Sequence, residues 1–198
     1  MIKIIDNNKA KPLKIFKNYY NKALNSNQDN IEAIAISSFD TLKNEVESRF
    51  VNIKYINDDE WIFFSNYSSK KAKDFECHDQ ISGLFYWSSI NVQIRIKAKI
   101  SKTTPMFSDS HFAKRDKSKN ILAIISDQSQ EISSYDEIID KFNSFNNEQS
   151  IKRPKYWGGY SFKPYYFEFW EGHKSRINKR KIFIHNSNGC WDSKILQP

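Results

Sequence analysis

The segment VQIRIKAKISK, residues 92–102, sets Val92, Ile94, Ile96, Ala98 and Ile100 against polar neighbours at every second position. A period of two puts one row of side chains on an apolar face and the other row in water, which a helix of 3.6 residues per turn cannot do. The chain must therefore build a half-buried β-sheet around this strand. AIAISSFD, SRFVNIKYIN, EWIFFSN and ISGLFYWSS before it, and YYFEFWEG, KRKIFIHN and CWDSKIL after it, read as further strands. NDDE between the second and third of these predicts a hairpin, residues 40–47 a polar turn, and NSNG a turn near the end.

Helices are placed at the edges. PLKIFKNYYNKALNSN spaces Leu13, Phe16, Tyr19, Tyr20 and Leu24 on one helical face, with Pro12 near the start. SSKKAKDFECHD reads as a short helix, and residues 104–148 as mainly helical. Strands, a helical insert, then strands, with no βαβ alternation, predict an α+β protein: an antiparallel barrel with flanking helices. At 198 residues without repeats or a low-complexity linker, one domain over 1–198 is expected.

The chain carries a formal charge of +8, which suits a nucleic acid, an acidic surface or a phosphorylated small ligand. Lys and Arg are scattered from residue 3 to residue 194 and form no long block, which weighs against nucleic acid. Cys77 and Cys190 stand outside any CxxC pattern, so neither a disulfide framework nor a zinc site is supported, and no metal is expected. No apolar stretch approaches the roughly 20 residues a membrane span needs. The first residues lack the pattern of a signal peptide. A cytoplasmic protein that binds neither membrane nor nucleic acid is expected.

RPKYWGGYSFKPYYFEFWEGHKSRINKR, residues 153–180, crowds aromatic rings and cations together. A core strand needs the rings alone, and a basic tail the cations alone. The mixture suits a flat, anionic partner: a nucleic acid or a phosphorylated ring cofactor. The motifs WGGY and EFWEG, the pair Arg176 and Arg180, and the closing Trp191, Leu196 and Pro198 resemble the pyridoxine/pyridoxamine 5'-phosphate oxidase family. That likeness runs from about Pro12 to Pro198. It implies an FMN-binding split β-barrel, a homodimer with residues 153–198 as the dimerisation segment, and flavin chemistry with no catalytic side chain.

Bottom-up, FMN needs cations at its phosphate and apolar or aromatic packing with a few hydrogen bonds at its ring. SRFVNIK alternates Arg49, Val51 and Ile53 against Phe50, Asn52 and Lys54; by itself this is an exposed strand with two solvated cations. FFSNYSSKKAK offers hydroxyls and lysines where a strand passes into a helix. The resemblance implies FMN contacts at Arg49, Phe50, Val51, Lys54, Phe64, Ser65, Ser69, Lys70 and Lys71. It adds Gln93, Gln128, Ser129, Trp170 and Arg180. Lys70 stands where many relatives have Arg, and so lacks the bidentate fork.

For the substrate the resemblance implies a phosphorylated pyridine held by Lys54, His111, Arg115 and Lys119 at its phosphate, with Arg176 and Asn178 at its ring. His111 takes the place of a family tyrosine, and the family serine falls at Ser118 or Lys119. Asn178 replaces a histidine and cannot carry a proton at neutral pH. On a strand, Arg176, Asn178 and Arg180 would share one face. The implied reaction is oxidation of a phosphorylated B6 vitamer to pyridoxal 5'-phosphate, with O2 as acceptor and H2O2 as product. A related FMN oxidase of another ring, such as a dihydrophenazine, is the alternative; a nucleic-acid-binding module is a third.

Overall fold

The computed structural model describes residues 1–5, 10–145 and 151–198; the helical expectation for residues 146–148 lies outside these. Ten strands join one sheet among the described residues. They are β1 (Lys3–Ile5), β2 (Ala33–Asp40), β3 (Glu45–Asn52), β4 (Tyr55–Asn57), β5 (Glu60–Asn66), β6 (Gln80–Trp87), β7 (Val92–Lys102), β8 (Trp157–Glu171), β9 (Lys179–His185) and β10 (Trp191–Leu196). Among the described residues five α-helices flank it: α1 (Lys11–Asn25), α2 (Lys70–Cys77), α3 (Pro105–Lys114), α4 (Lys117–Ile125) and α5 (Tyr135–Asn143). The order is β1-β4-β5-β8-β7-β6-β2-β3, with β9 on β8 and β10 on β9. Every pairing is antiparallel except β1 with β4. This is the α+β antiparallel architecture that the pattern of strands and helices predicts, in the split-barrel form that the resemblance implies.

The split has a physical origin in β8. Along one edge β8 pairs with β7 from Tyr160 to Glu171. Along the other it pairs with β5 through Trp157–Phe162 and with β9 through Tyr166–Glu171. Between the two partners lies Pro164, opposite Ala98, and just after it the β7–β8 register slips by a residue, with Tyr165 as the extra one. Proline has no N–H for the ladder, so the strand bulges there and exchanges one neighbour for another. The strand expected as YYFEFWEG is only the second half of β8. Glycine and proline hid the first half, because both read locally as breaks.

Gly158 and Gly159 are there for contact. A Cβ on Gly158 would collide with the Tyr67 hydroxyl and lie 2.9 Å from Ser108 Oγ, and one on Gly159 would lie 2.6 Å from Thr103 Oγ1. The two glycines let α3 and Tyr67 press directly on the β8 backbone, and Ser108 Oγ accepts from Gly159 N at 3.1 Å. That contact brings α3 to one wall of the site described below.

The barrel interior is filled by rings. Phe16 of α1 meets Trp61 at 4.5 Å and Trp87 at 5.5 Å between centroids, and Trp61, Phe63, Phe85, Phe162, Phe167 and Phe183 are buried. The buried face of α1 is Leu13, Phe16, Tyr20 and Ala23; Leu24, expected on it, is exposed. Three other expectations shift. The turn after β2 is confined to residues 41–44, SRFVNIKYIN breaks at residues 53–54 into β3 and β4, and β1 was not anticipated. No described helix is long and apolar enough to cross a membrane.

Candidate active site

Two cations meet where β3 passes α2. Arg49 Nη1 donates to Ser38 Oγ at 2.6 Å and to the Ile36 carbonyl at 3.4 Å. Its Nη2 stands 3.5 Å from the Asp74 carboxylate, which also accepts from Ser38 Oγ at 2.5 Å. Lys71, in the first turn of α2, donates to Ser69 Oγ at 3.1 Å, and Ser69 Oγ donates to the Asn66 carbonyl at 2.8 Å. Burial, and next the charge of Arg49, push the Lys71 ammonium down to about 8. Two cations against one buried carboxylate leave the cradle with excess positive charge, which fits a phosphate. Neither Ser38 nor Asp74 was expected at the site.

Lys71 opens onto a cavity of about 260 Å³, adjoined by another of about 240 Å³. The first is lined by Phe50, Val51, Lys54, Phe64, Ser65, His111, Arg115, Lys119, Gln128 and Trp157 besides Lys71. Ten sequence-predicted residues therefore share one wall: these eleven without Trp157. Phe64 is stacked face to face with His111 (centroids 3.6 Å, planes 9° apart) and offset from Trp157 (5.3 Å, 12°). His111 Nδ1 lies 2.9 Å from Tyr55 Oη. Burial first, then Arg115 and Lys54, lower the His111 pKa to about 4, so the imidazole is neutral at neutral pH. The Arg115 guanidinium lies 5.0 Å from the Trp157 ring centroid and donates to the Lys119 carbonyl at 2.5 Å. Gln128 Oε1 accepts from Asn66 N at 3.2 Å and from Ser65 Oγ at 3.5 Å.

Trp157 lines the site and Tyr55 meets His111 there without either having been expected: the WGGY motif assigns no function to its tryptophan, and Tyr55 falls in the short strand after the β3 break. Four predicted residues near the cavity are not part of its wall: Arg49 and Ser69 belong to the cradle described above, and Lys70 and Ser129 lie apart. Lys70 is exposed to solvent on one side and paired with Glu47. Ser129 is exposed, in a left-handed turn with φ of 72°.

A second group assembles elsewhere. Gln93, Trp170 and Arg180 stand in one row across β7, β8 and β9, on the sheet face opposite to buried Ile94 and Phe169. The expectation that Arg176, Asn178 and Arg180 share a strand face is corrected: β9 begins at Lys179. Arg176 lies in the preceding loop at φ 62°, and Asn178 Oδ1 is turned to accept from His173 N at 3.0 Å. Strand alternation does not extend into a loop closed by such bonds. Asn178 borders a separate, largely apolar cavity of about 610 Å³, between α1 and the C-terminal strands, whose wall includes Tyr19, Phe169 and Arg180. The two smaller cavities include none of Gln93, Trp170, Arg176, Asn178 or Arg180.

Fold and cavity together define a split-barrel protein with a cationic, aromatic-walled ligand site. A family model described as "Pyridoxine 5'-phosphate oxidase C-terminal dimerisation region" matches residues 157–198. A pyridoxine/pyridoxamine 5'-phosphate oxidase of Cytophaga hutchinsonii is 34% identical over 186 residues, spanning 91% of this chain and 86% of that protein. One from Bacteroides thetaiotaomicron is 30% identical over 190 residues, 94% and 89% of the two chains. Among solved structures, PhzG from Burkholderia lata in complex with tetrahydrophenazine-1-carboxylic acid superposes with a TM-score of 0.89 at 22% identity, covering 98% and 95%. A pyridoxamine 5'-phosphate oxidase-related, FMN-binding protein of Nostoc punctiforme gives 0.77 at 11%, covering 92% and 97%. The chain belongs to the pyridoxine/pyridoxamine 5'-phosphate oxidase family, and its C-terminal strands match that family's dimerisation region.

Proposed function

We propose that this protein is an FMN-dependent oxidase that converts pyridoxine or pyridoxamine 5'-phosphate to pyridoxal 5'-phosphate, with O2 as acceptor and H2O2 as product. The observation that carries the reading is the convergence of Lys54, Lys71, Arg115 and Lys119 with Phe64, His111 and Trp157 on one cavity wall. Bound FMN would supply the redox chemistry, taking a hydride from the substrate and passing electrons to O2. The chain's residues bind and orient. Arg49 and Lys71, with the Ser69 hydroxyl beside Lys71, would hold the cofactor phosphate; Phe64, Ser65 and Gln128 would flank the cofactor. Lys54, Arg115 and Lys119 would hold the substrate phosphate. No side chain is assigned a proton transfer. One cytoplasmic domain over residues 1–198 would carry all of this.

A homodimer follows from the same layout. Gln93, Trp170 and Arg180 stand away from the Lys71 cavity, so a cofactor touched by both groups would lie between two chains. The test is the visible spectrum of the purified protein, followed by anaerobic titration with each B6 phosphate. Flavin absorbance that bleaches on addition supports the reading. A colourless protein that takes up no added FMN would overturn it.

One observation favours a second substrate on the same scaffold. His111 is uncharged and lies flat on Phe64, so it brings a ring face to the cavity where a phosphate site gains from a donor. A dihydrophenazine-type ring would use such a face. Bleaching by that compound and by neither B6 phosphate would select this alternative.

A further inference from the structure

Glu168 is buried on β8, 2% exposed, and a carboxylate so placed must be met by donors or destabilise the fold. Arg180 Nε and Nη2 both donate to its Oε1, at 2.9 and 2.7 Å. Arg95 Nη1 donates to Oε2 at 2.8 Å, and Tyr166 Oη to the same oxygen at 3.1 Å. On its far side Arg180 Nη1 donates to the Gln197 carbonyl at 3.1 Å. The guanidinium is thus held along one edge and at one corner. Trp170, two residues beyond Glu168 on the same strand face, pairs with Arg180 in the ladder.

We propose that Glu168 is a positioning residue for the flavin site, acting through Arg180. This rests on the FMN reading above. A guanidinium has five N–H donors in a rigid plane. Those spent on Glu168 and Gln197 leave the second hydrogens of Nη1 and Nη2 for a ligand. A free arginine loses rotamer freedom when it binds; one already gripped by a buried carboxylate does not. Arg95 supplies a second cation, 2.8 Å from Oε2, that holds the Glu168 side chain in place. A Glu168 that only counterbalanced two arginines would contribute to stability and not to FMN affinity through Arg180, and the experiment must separate the two roles.

A double-mutant cycle does so, read as FMN affinity from fluorescence quenching on the flavin-stripped protein. Arg180→Ala and Glu168→Gln should each weaken FMN at least about tenfold, and the double variant should lose no more than Arg180→Ala alone. Losses that multiply in the double variant, or Glu168→Gln binding like the wild type, would overturn the proposal and leave the FMN reading standing. If Glu168→Gln gives no cooperative thermal melt, Glu168→Asp replaces it in the cycle, keeping the charge but shortening the reach to Arg180, and is judged by the same two outcomes. A wild type that binds no FMN would instead remove the FMN reading, and this proposal with it.

Discussion

Lys71 Nζ meets Ser69 Oγ at 3.1 Å in the first turn of α2, on the wall of the candidate cofactor cavity. The lysine's pKa is lowered to about 8, by burial first and by Arg49 next. Folding therefore makes the ammonium easier to deprotonate than in an unfolded chain, where lysine titrates near 10.4. Between those values the unfolded state binds more protons, so this group's contribution to stability rises with pH. Ligand binding should run the other way, because a phosphate dianion needs the charged form. FMN affinity should fall as pH rises above about 8, by up to roughly tenfold per pH unit if the charge is obligatory. Titrations between pH 7 and 10 on wild type and Lys71→Gln check this: the variant should bind weakly with no slope from this group.

Arg49→Ala and Lys71→Ala should each weaken FMN by about 1.5–3 kcal/mol, the worth of a charge-assisted hydrogen bond, or roughly tenfold to hundredfold. Their effects on the empty protein should differ in sign. Arg49 pairs with buried Asp74, so removing it strands a carboxylate and lowers Tm. Lys71 is a partly desolvated cation beside another cation, so removing it should leave Tm unchanged or raised. Two variants that retain flavin as well as the wild type would show that the phosphate lies elsewhere.

The fold was readable because alternation at Val92–Ile100 and the aromatic runs carry a period that survives in one strand at a time. Where a strand is interrupted, the signal fails: Gly158, Gly159 and Pro164 concealed half of β8, though the structure needs them for close packing and for the change of partner. The site was legible where charge and ring type mattered, as at Lys54, Lys71 and Arg115, because the family motifs fix those types. Asp74 and Tyr55 were invisible. Each acts by holding another side chain, and no local pattern marks a residue whose partner, Arg49 or His111, is 25 or 56 positions away. Glu168 stood inside the EFWEG motif with no role of its own, because its partner Arg180 lies 12 positions on. The Arg176–Arg180 face was misread for a related reason, since period-two reasoning assumes a strand that here starts only at Lys179.

The separation of Gln93, Trp170 and Arg180 from the Lys71 cavity predicts that the working unit is a dimer. Light scattering should give twice the 23.5 kDa chain mass. Phe50 is 75% exposed and Tyr86 56% in the isolated chain, on the sheet face that carries Trp170; a second copy would cover them. A Phe50→Glu or Tyr86→Glu variant should shift the population toward monomer and lose flavin together with the dimer. A monomer that still holds flavin would sink this layout.

The proposed substrate reading turns on the loop before β9. His173 pins it three ways: its N–H donates to Asn178 Oδ1 at 3.0 Å, its Nδ1 accepts from Ser175 N at 3.1 Å, and its carbonyl accepts from Arg176 N at 2.9 Å. Arg176 is thereby held at a positive φ through its backbone N–H, while its side chain is exposed and takes no part in the three bonds that shape the loop. Arg176→Ala should therefore leave both the yellow cofactor and Tm in place. It should lower kcat/KM for the B6 phosphate by at least roughly tenfold, equivalent to about 1.4 kcal/mol of transition-state binding. Asn178 does a different job, since its side chain closes the loop. Asn178→Ala should raise KM by letting Arg176 wander, whereas Asn178→His, with a ring nitrogen able to accept from the same N–H, should preserve or raise activity. If Arg176→Ala leaves kcat/KM unchanged while the wild type bleaches with B6 phosphates, the ring is read by other residues. If neither the wild type nor Asn178→His reduces its flavin with those phosphates, the B6 assignment fails and an FMN oxidase of another ring becomes the better reading.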